Sequence, residues 1–274
     1  MATILLDDHR TLQLEAAVLT DRGQKRPLNE DAVFQQTGRT QDGQSIGLYM
    51  VCDGLGRRKP GEMVSEMAVE TVSAELADLF SPIGTYPQDE NEARPSRARL
   101  VQQIKAAVAK ANTTVRDYVE EHRLDVGTLG TTIVLALIYA HRVYLANVGD
   151  SRAYVWRAGR LTQLSRDHSL AGALMRRGEI DERQLRTHPQ RKVLLQALGL
   201  GDEVKTELFD WMLEPGDKLL LCSDGLWNAF ADEDELAQWL SRDEAPSDLC
   251  WRLVLEAKER DGSDNISAVV VSTE

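Results

Sequence analysis

The sequence predicts an α+β fold in which antiparallel strands layer against pairs of helices. Three observations carry this. Short apolar runs with strand spacing occur in bunches joined by tight turns. Two long stretches between the bunches, Glu62–Phe80 and Arg97–His122, have apolar residues at helical spacing. No regular strand–helix–strand alternation marks a doubly wound parallel sheet. With 274 residues, 42% of them hydrophobic, the chain can bury a sizeable core. No internal repeat or long linker divides it, so residues 1–274 are expected to form a single domain.

The elements follow in order. Ala16–Thr20 reads as a strand that stops at the turn Asp21-Arg22-Gly23. Asp31–Gln36 and Ile46–Cys52 flank the loop Gly38–Gly47 and read as a hairpin. Glu62–Phe80 is a helix with Met63, Met67, Val69, Val72, Leu76, Leu79 and Phe80 at its apolar positions. Pro82–Ser96, with three prolines, is a polar surface loop. Arg97–His122 is a long helix, with Leu100, Val101, Ile104, Val108, Ala111, Val115 and Val119 on one side. The period then changes, and Thr131–Ala140, Arg142–Val148, Arg152–Trp156 and Arg160–Leu164 read as four strands. Ser169–Arg191 is polar with helical fragments and reads as a flap. Glu203–Met212 and Lys218–Cys222 are strands across the turn Glu214-Pro215-Gly216-Asp217. Asp232–Leu240 and Ser247–Arg260 are helices, the second with Ser247 and Asp248 as candidate caps. Asn265–Ser272 closes the fold as a strand.

Charge and cysteine usage exclude several functions. The formal net charge is −12, which disfavours nucleic acid and anionic membranes as partners. Cys52, Cys222 and Cys250 are too sparse for a disulfide framework or a zinc site and suit a reducing compartment. Met1–Leu14 has no signal-peptide core, and no stretch approaches the roughly 18 to 20 apolar residues that span a bilayer. A cytoplasmic location is expected.

Carboxylates that border strands are the informative residues. Asn29-Glu30-Asp31 opens one strand, Asp53-Gly54 ends another, and Asp150 follows Tyr144–Val148. Asp224-Gly225 follows Leu219–Ser223, and Asp264-Asn265 precedes the last strand. Carboxylates gathered in one place raise one another's pKa, and divalent cations remove that cost. An all-oxygen set favours hard ions such as Mg²⁺ or Mn²⁺. Asp-Gly is also a common turn dipeptide, so the residues alone reach only a possible oxygen-ligated metal site.

Taken together, these elements resemble the PP2C-like, metal-dependent (PPM) protein phosphatases, in the bacterial single-domain branch. Arg26-Pro27-Leu28-Asn29-Glu30-Asp31 resembles the family's Arg-x-x-Asn-Glu-Asp element. Val51–Gly56, with Gly61, Glu62 and Ser65, is similar to its Asp-Gly loop and following helix. Gly130-Thr131-Thr132, Asn147–Arg152, Asp167-His168-Ser169, Leu221–Trp227 and Gly262–Ile266 match further motifs in family order, over residues 16 to 273.

The resemblance implies an α-β-β-α sandwich of two antiparallel β-sheets flanked by helix pairs. It implies hydrolysis of phosphoserine and phosphothreonine on proteins by water activated between two Mn²⁺ or Mg²⁺ ions, opposing a serine/threonine kinase. Asp53 bridges the two ions in this reading, with the Gly54 carbonyl on one of them. Asp224 and Asp264 complete the first ion's shell, Glu30 and Asp31 lie at the second, and Asp150 serves a third, weaker ion. Arg26 binds the substrate phosphate through its bidentate guanidinium.

The sequence also departs from the family. Arg57 and Arg58 follow Gly56 where bacterial members carry Gly then His. Leu55 stands where some eukaryotic members place a histidine acid, so no leaving-group acid is assigned, and His168 reads as a structural turn residue. Two rivals remain. Cys52 to Arg58 has the spacing of cysteine-dependent phosphatases, but Asp53 beside Cys52 disfavours a thiolate. A silent phosphoprotein-binding module is the alternative, although Asp31, Asp53, Asp224 and Asp264 are all present.

Overall fold

The computed structural model describes residues 11–40, 43–56, 59–80, 95–124 and 127–274. Among the described residues the first elements are β1 (Leu14–Asp21) and the hairpin β2 (Asp31–Arg39) and β3 (Ser45–Leu55). Helix α1 (Lys59–Leu76) runs into a 3-10 turn, Ala77–Phe80, and α2 (Arg97–Glu121) follows. Next come β4 (Gly130–Thr131), β5 (Ile133–Tyr139), β6 (Arg142–Val148), β7 (Arg152–Arg157) and β8 (Arg160–Gln163). Two short helices, α3 (Leu170–Arg176) and α4 (Glu182–Thr187), precede β9 (Glu207–Met212) and β10 (Lys218–Cys222). The chain ends with α5 (Asp224–Trp227), α6 (Glu233–Leu240), α7 (Pro246–Arg260) and β11 (Ile266–Thr273).

The strands form two antiparallel sheets. One has the order β1-β11-β10-β7-β8; the other has β2-β3-β5-β6-β9, with β4 extending the pairing of β3. Strand periodicity places alternate residues in different cores. Tyr49, Val51, Val134 and Leu145 meet Val155, Leu219, Leu221 and Val269 between the sheets. Leu48, Met50 and Cys52 face the other way, onto Val64, Ala68, Leu100 and Ile104 of α1 and α2. Leu220, Ala268 and Val270 likewise pack on Leu226, Leu236, Leu249 and Leu253 of α5, α6 and α7. The layers are therefore helix, sheet, sheet, helix, as the resemblance implied. A strand buried on both faces cannot show a polar alternation, which is why Ser45–Cys52 is buried throughout.

The helices and most strands lie where the sequence places them, with four differences. The run Thr131–Ala140 breaks at Thr132, whose hydroxyl accepts from the Asp53 amide at 3.0 Å. The strand expected from Glu203 begins only at Glu207. Helix α7 starts on Pro246 after Ala245, with no side-chain cap from Ser247 or Asp248; proline's fixed φ already suits a first helical position. The single turn α5 is too short to show a period. Residues 82–94 of the expected surface loop lie outside the described residues. Among the described residues no helix is long and apolar enough to cross a membrane.

Candidate active site

Antiparallel pairing brings the acidic turns to one end of the sandwich. In the β2–β3 ladder Asp31 and Asp53 are direct cross-strand partners. Asp224 opens α5 just past the end of β10, Asp264 precedes the neighbouring β11, and Asp150 sits in the β6–β7 turn. Asp53, Asp150, Asp224, Asp264, Glu30, Gly54 and Arg26 line a common cavity of about 750 Å³. Asp31 lies behind it, buried, with Oδ2 accepting from the Ser267 hydroxyl at 2.6 Å.

Polar residues of the motifs hold these carboxylates in place. The Asn265 side chain accepts from the Glu30 amide and donates to the carbonyls of Arg22 and Leu28, each at 2.9 Å. Ser65 donates to the Glu30 carbonyl at 2.7 Å, and the Gly54 amide donates to the same oxygen at 3.0 Å. The Thr131 hydroxyl and Thr132 amide both donate to the Asp53 carbonyl, at 3.0 and 2.9 Å. A Cβ at Gly54 would collide with the backbone oxygens of Glu30 and Gly61, so only glycine allows this approach. Gly149 has φ +114, and a side chain there would strike Thr132; this places Asp150 on its turn.

The electrostatics are those of crowded carboxylates. Burial first, then Asp31, Asp224, Asp264 and Asp150, push Asp53 well above the usual range. Burial raises Asp31 to about 7 against its hydrogen bond from Ser267. Burial and Asp224 raise Asp150; burial and Asp264 raise Asp224, opposed by Lys192 and Arg26. Arg26 Nη2 lies 2.7 Å from Asp264 Oδ1 and Nη1 lies 3.7 Å from Glu30 Oε2. Lys192, between α4 and β9, also pairs with Asp264 and lies 3.8 Å from Asp224. Sequence reasoning did not single out Lys192, because nothing local marks a lysine 72 residues away from its partner Asp264.

The donor set fits a hard divalent cation. Among the described residues no three His, Cys, Asp or Glu side chains already close into a metal shell; Arg26 and Lys192 engage the carboxylates instead. Yet Asp31 Oδ1 and Asp224 Oδ1 are buried without a hydrogen bond, and four aspartates raise each other's proton affinity. Oxygen donors in that condition match Mg²⁺ or Mn²⁺.

Two other sequence readings are resolved by position. His168 is structural: Gly149 N–H donates to Nδ1 at 3.3 Å, and Nε2 faces Glu207 at 3.4 Å. Burial lowers its pKa against the pull of Glu207, which favours the neutral ring. Cys52 is fully buried against the α1–α2 layer, and burial followed by Asp31 and Asp53 drives its thiol pKa upward, which removes the cysteine mechanism. Arg57 and Arg58 lie outside the described residues.

Known proteins match both the sequence and this architecture. The family model described as protein phosphatase 2C matches residues 22–245. The serine/threonine phosphatase stp of Listeria monocytogenes is 34% identical over 260 residues, covering 94% of this chain and 95% of that protein. The S. agalactiae serine/threonine phosphatase structure superposes with a TM-score of 0.81 at 27% identity, over 96% of this chain and 100% of that one. The catalytic domain of the phosphatase PstP, solved in complex with two manganese ions, gives a TM-score of 0.76 at 30% identity, over 96% and 99%. With its motifs in order on a two-sheet sandwich, the chain belongs to the protein phosphatase 2C family.

Proposed function

We propose that this chain, a serine/threonine protein phosphatase, works through two divalent cations held by its strand-end carboxylates. The observation that carries the proposal is the cross-strand pair Asp31–Asp53, set beside Asp224, Asp264 and Asp150 at one end of the sandwich. Asp53, Asp224, Asp264 and the Gly54 carbonyl, with Asp31 and Glu30, would hold the two ions. Asp150 would hold a third, weaker ion. Two bound Mn²⁺ or Mg²⁺ ions supply the activated water and offset charge on the phosphoryl oxygens.

The chain's own residues bind and orient. Arg26 lines the cavity with its side chain 37% exposed, able to turn from Asp264 to two phosphate oxygens. Asn265, Ser65, Thr131 and Thr132 fix the carboxylate-bearing backbone before substrate arrives, so little reorganisation accompanies the reaction. Hydrolysis of phosphoserine or phosphothreonine yields the free hydroxyl and inorganic phosphate.

The substrates are phosphoproteins, and a serine/threonine kinase in the same compartment supplies them. Three buried free cysteines support a reducing, cytoplasmic setting. Residues 1–274 act as one catalytic domain. The silent-module reading finds no support in the relatives, which are named as phosphatases.

Phosphate release from a phosphothreonine peptide, with Mn²⁺ and then with EDTA, tests the reading. Turnover with Mn²⁺ that stops in EDTA is expected. Turnover that survives EDTA would overturn the metal assignment, and phosphopeptide binding without turnover would support the silent module.

A further inference from the structure

The cavity holds more than a phosphoryl group needs. Its volume of about 750 Å³ sits within the roughly 300–1,000 Å³ that encloses a drug-sized ligand. The carboxylates, Arg26 and Lys192 account for one part of its wall. Another part is apolar: Leu55 at the end of β3, Pro60 in the first turn of α1, Leu124 and Leu129 from the α2–β4 connection, and Leu194 and Leu200 from the segment before β9. Contact with such a wall cannot stabilise a phosphate, because charge loses hydration there without gaining a partner.

This wall is built into the fold. Leu170 N donates to Val193 O at 2.8 Å, and Leu195 N donates to His168 O at 2.7 Å, on either side of Leu194. Thr131 and Leu198 exchange backbone hydrogen bonds at 3.0 and 2.8 Å, and Gly199 N donates to Asn112 Oδ1 at 2.8 Å beside Leu200. Among the described residues Leu194 and Leu200 belong to none of the three cores and stay partly exposed on the cavity side.

We infer that this wall is a specificity subsite for an apolar side chain (Leu, Ile, Met or Phe) flanking the phosphorylated residue of the substrate. The inference rests on the phosphatase reading above. The phosphorylated side chain of a serine or threonine is short, so the peptide must come down to the cavity and bring its neighbours against the wall. An apolar neighbour gains by leaving water; an acidic one does not, and the net charge of −12 also repels it.

The test is a panel of phosphothreonine peptides carrying Leu, Phe, Ser, Lys or Asp at each of the two positions on either side, assayed with Mn²⁺. Each kcat/KM is expressed relative to that for p-nitrophenyl phosphate, which has no flanking residue. At one flanking position the wild-type chain is expected to favour Leu or Phe over Ser and Asp by at least about tenfold. Leu194→Glu and Leu200→Glu should collapse that ratio toward one and raise the relative rate on the Lys peptide. Leu194→Met should preserve the ratio, and thermal melts identify any variant that fails to fold. A wild-type ratio near one at every position overturns the subsite, as does a ratio that persists in both glutamate variants. Failure to hydrolyse p-nitrophenyl phosphate and every peptide would overturn the phosphatase reading, and the subsite with it.

Discussion

The indole N–H of Trp227 donates to the backbone oxygen of Asp150 at 3.0 Å, and the Arg152 guanidinium lies over the same indole, 3.6 Å from its centre. Arg152 also grips Asp167 with Nε at 2.9 Å and Nη2 at 2.8 Å, and all of this is buried. Arg186, in α4, donates to the Trp227 and Phe230 carbonyls at 2.6 and 3.0 Å. The polar segment around α3 and α4 is thus tied to the turn that carries Asp150.

Arg152→Met should destabilise the fold by about 3–5 kcal/mol, because Asp167 would remain buried without its cation. Arg152→Lys should recover only part of that, since one ammonium does not reproduce a planar two-point grip. Urea unfolding measures both.

Asp53→Asn is expected to fold at least as stably as the wild type in EDTA, because it removes a buried charge crowded by Asp31, Asp224 and Asp264. Its Mn²⁺ affinity and phosphatase turnover should each fall by more than about a hundredfold, beyond what loss of a supporting residue costs. Mn²⁺ titration calorimetry alongside phosphate release checks the pair of outcomes.

Asp31 provides a pH signature. Its folded pKa, raised by burial to about 7, exceeds the ordinary 3.8, so the folded chain holds a proton that the unfolded chain releases. In EDTA this stabilisation is complete below about pH 3.8 and is lost as pH rises toward 7, by up to about 1.4 kcal/mol per unit. Asp31→Asn carries no such proton, so wild-type stability should fall relative to the variant across that window. Mn²⁺ binds the deprotonated carboxylates and should reverse the trend, adding about 2.7 kcal/mol at a hundred times its Kd.

Lys192→Met should bind Mn²⁺ a few-fold more tightly, since the ion no longer competes with an ammonium for Asp264 and Asp224. The lysine is half exposed, which keeps the effect near the range of about 0.2–1 kcal/mol for solvated pairs. Unchanged affinity would show that the lysine yields to the metal at no cost.

Arg26→Ala should raise KM for phosphopeptides by about tenfold or more while leaving Mn²⁺ affinity within a few-fold, and Arg26→Lys should restore little of it. Steady-state kinetics at saturating Mn²⁺ separates the two.

Local pattern was enough for most of the fold, and the family resemblance pointed to the acidic residues that the cavity gathers. Apolar runs at Asp31–Gln36 and Ile46–Cys52 on either side of a Gly-rich loop mark the hairpin, and helical spacing marks α1 and α2, because both signals are local. The single turn α5 has too little local signal to be seen, and α7 is legible but starts one residue before the expected Ser247, because a proline's φ does the work of the expected cap. Convergence of the site required pairings that no local window contains. Asp31 meets Asp53 only through the β2–β3 register, and Asn265 reaches Glu30 across 235 positions. Lys192 became a partner of Asp264, and Leu194 and Leu200 became a cavity wall, only once backbone hydrogen bonds to His168, Thr131 and Asn112 set their segment beside the strand ends. Side-chain chemistry is written residue by residue, whereas its assembly depends on hydrogen bonds and apolar contacts between segments far apart in the chain.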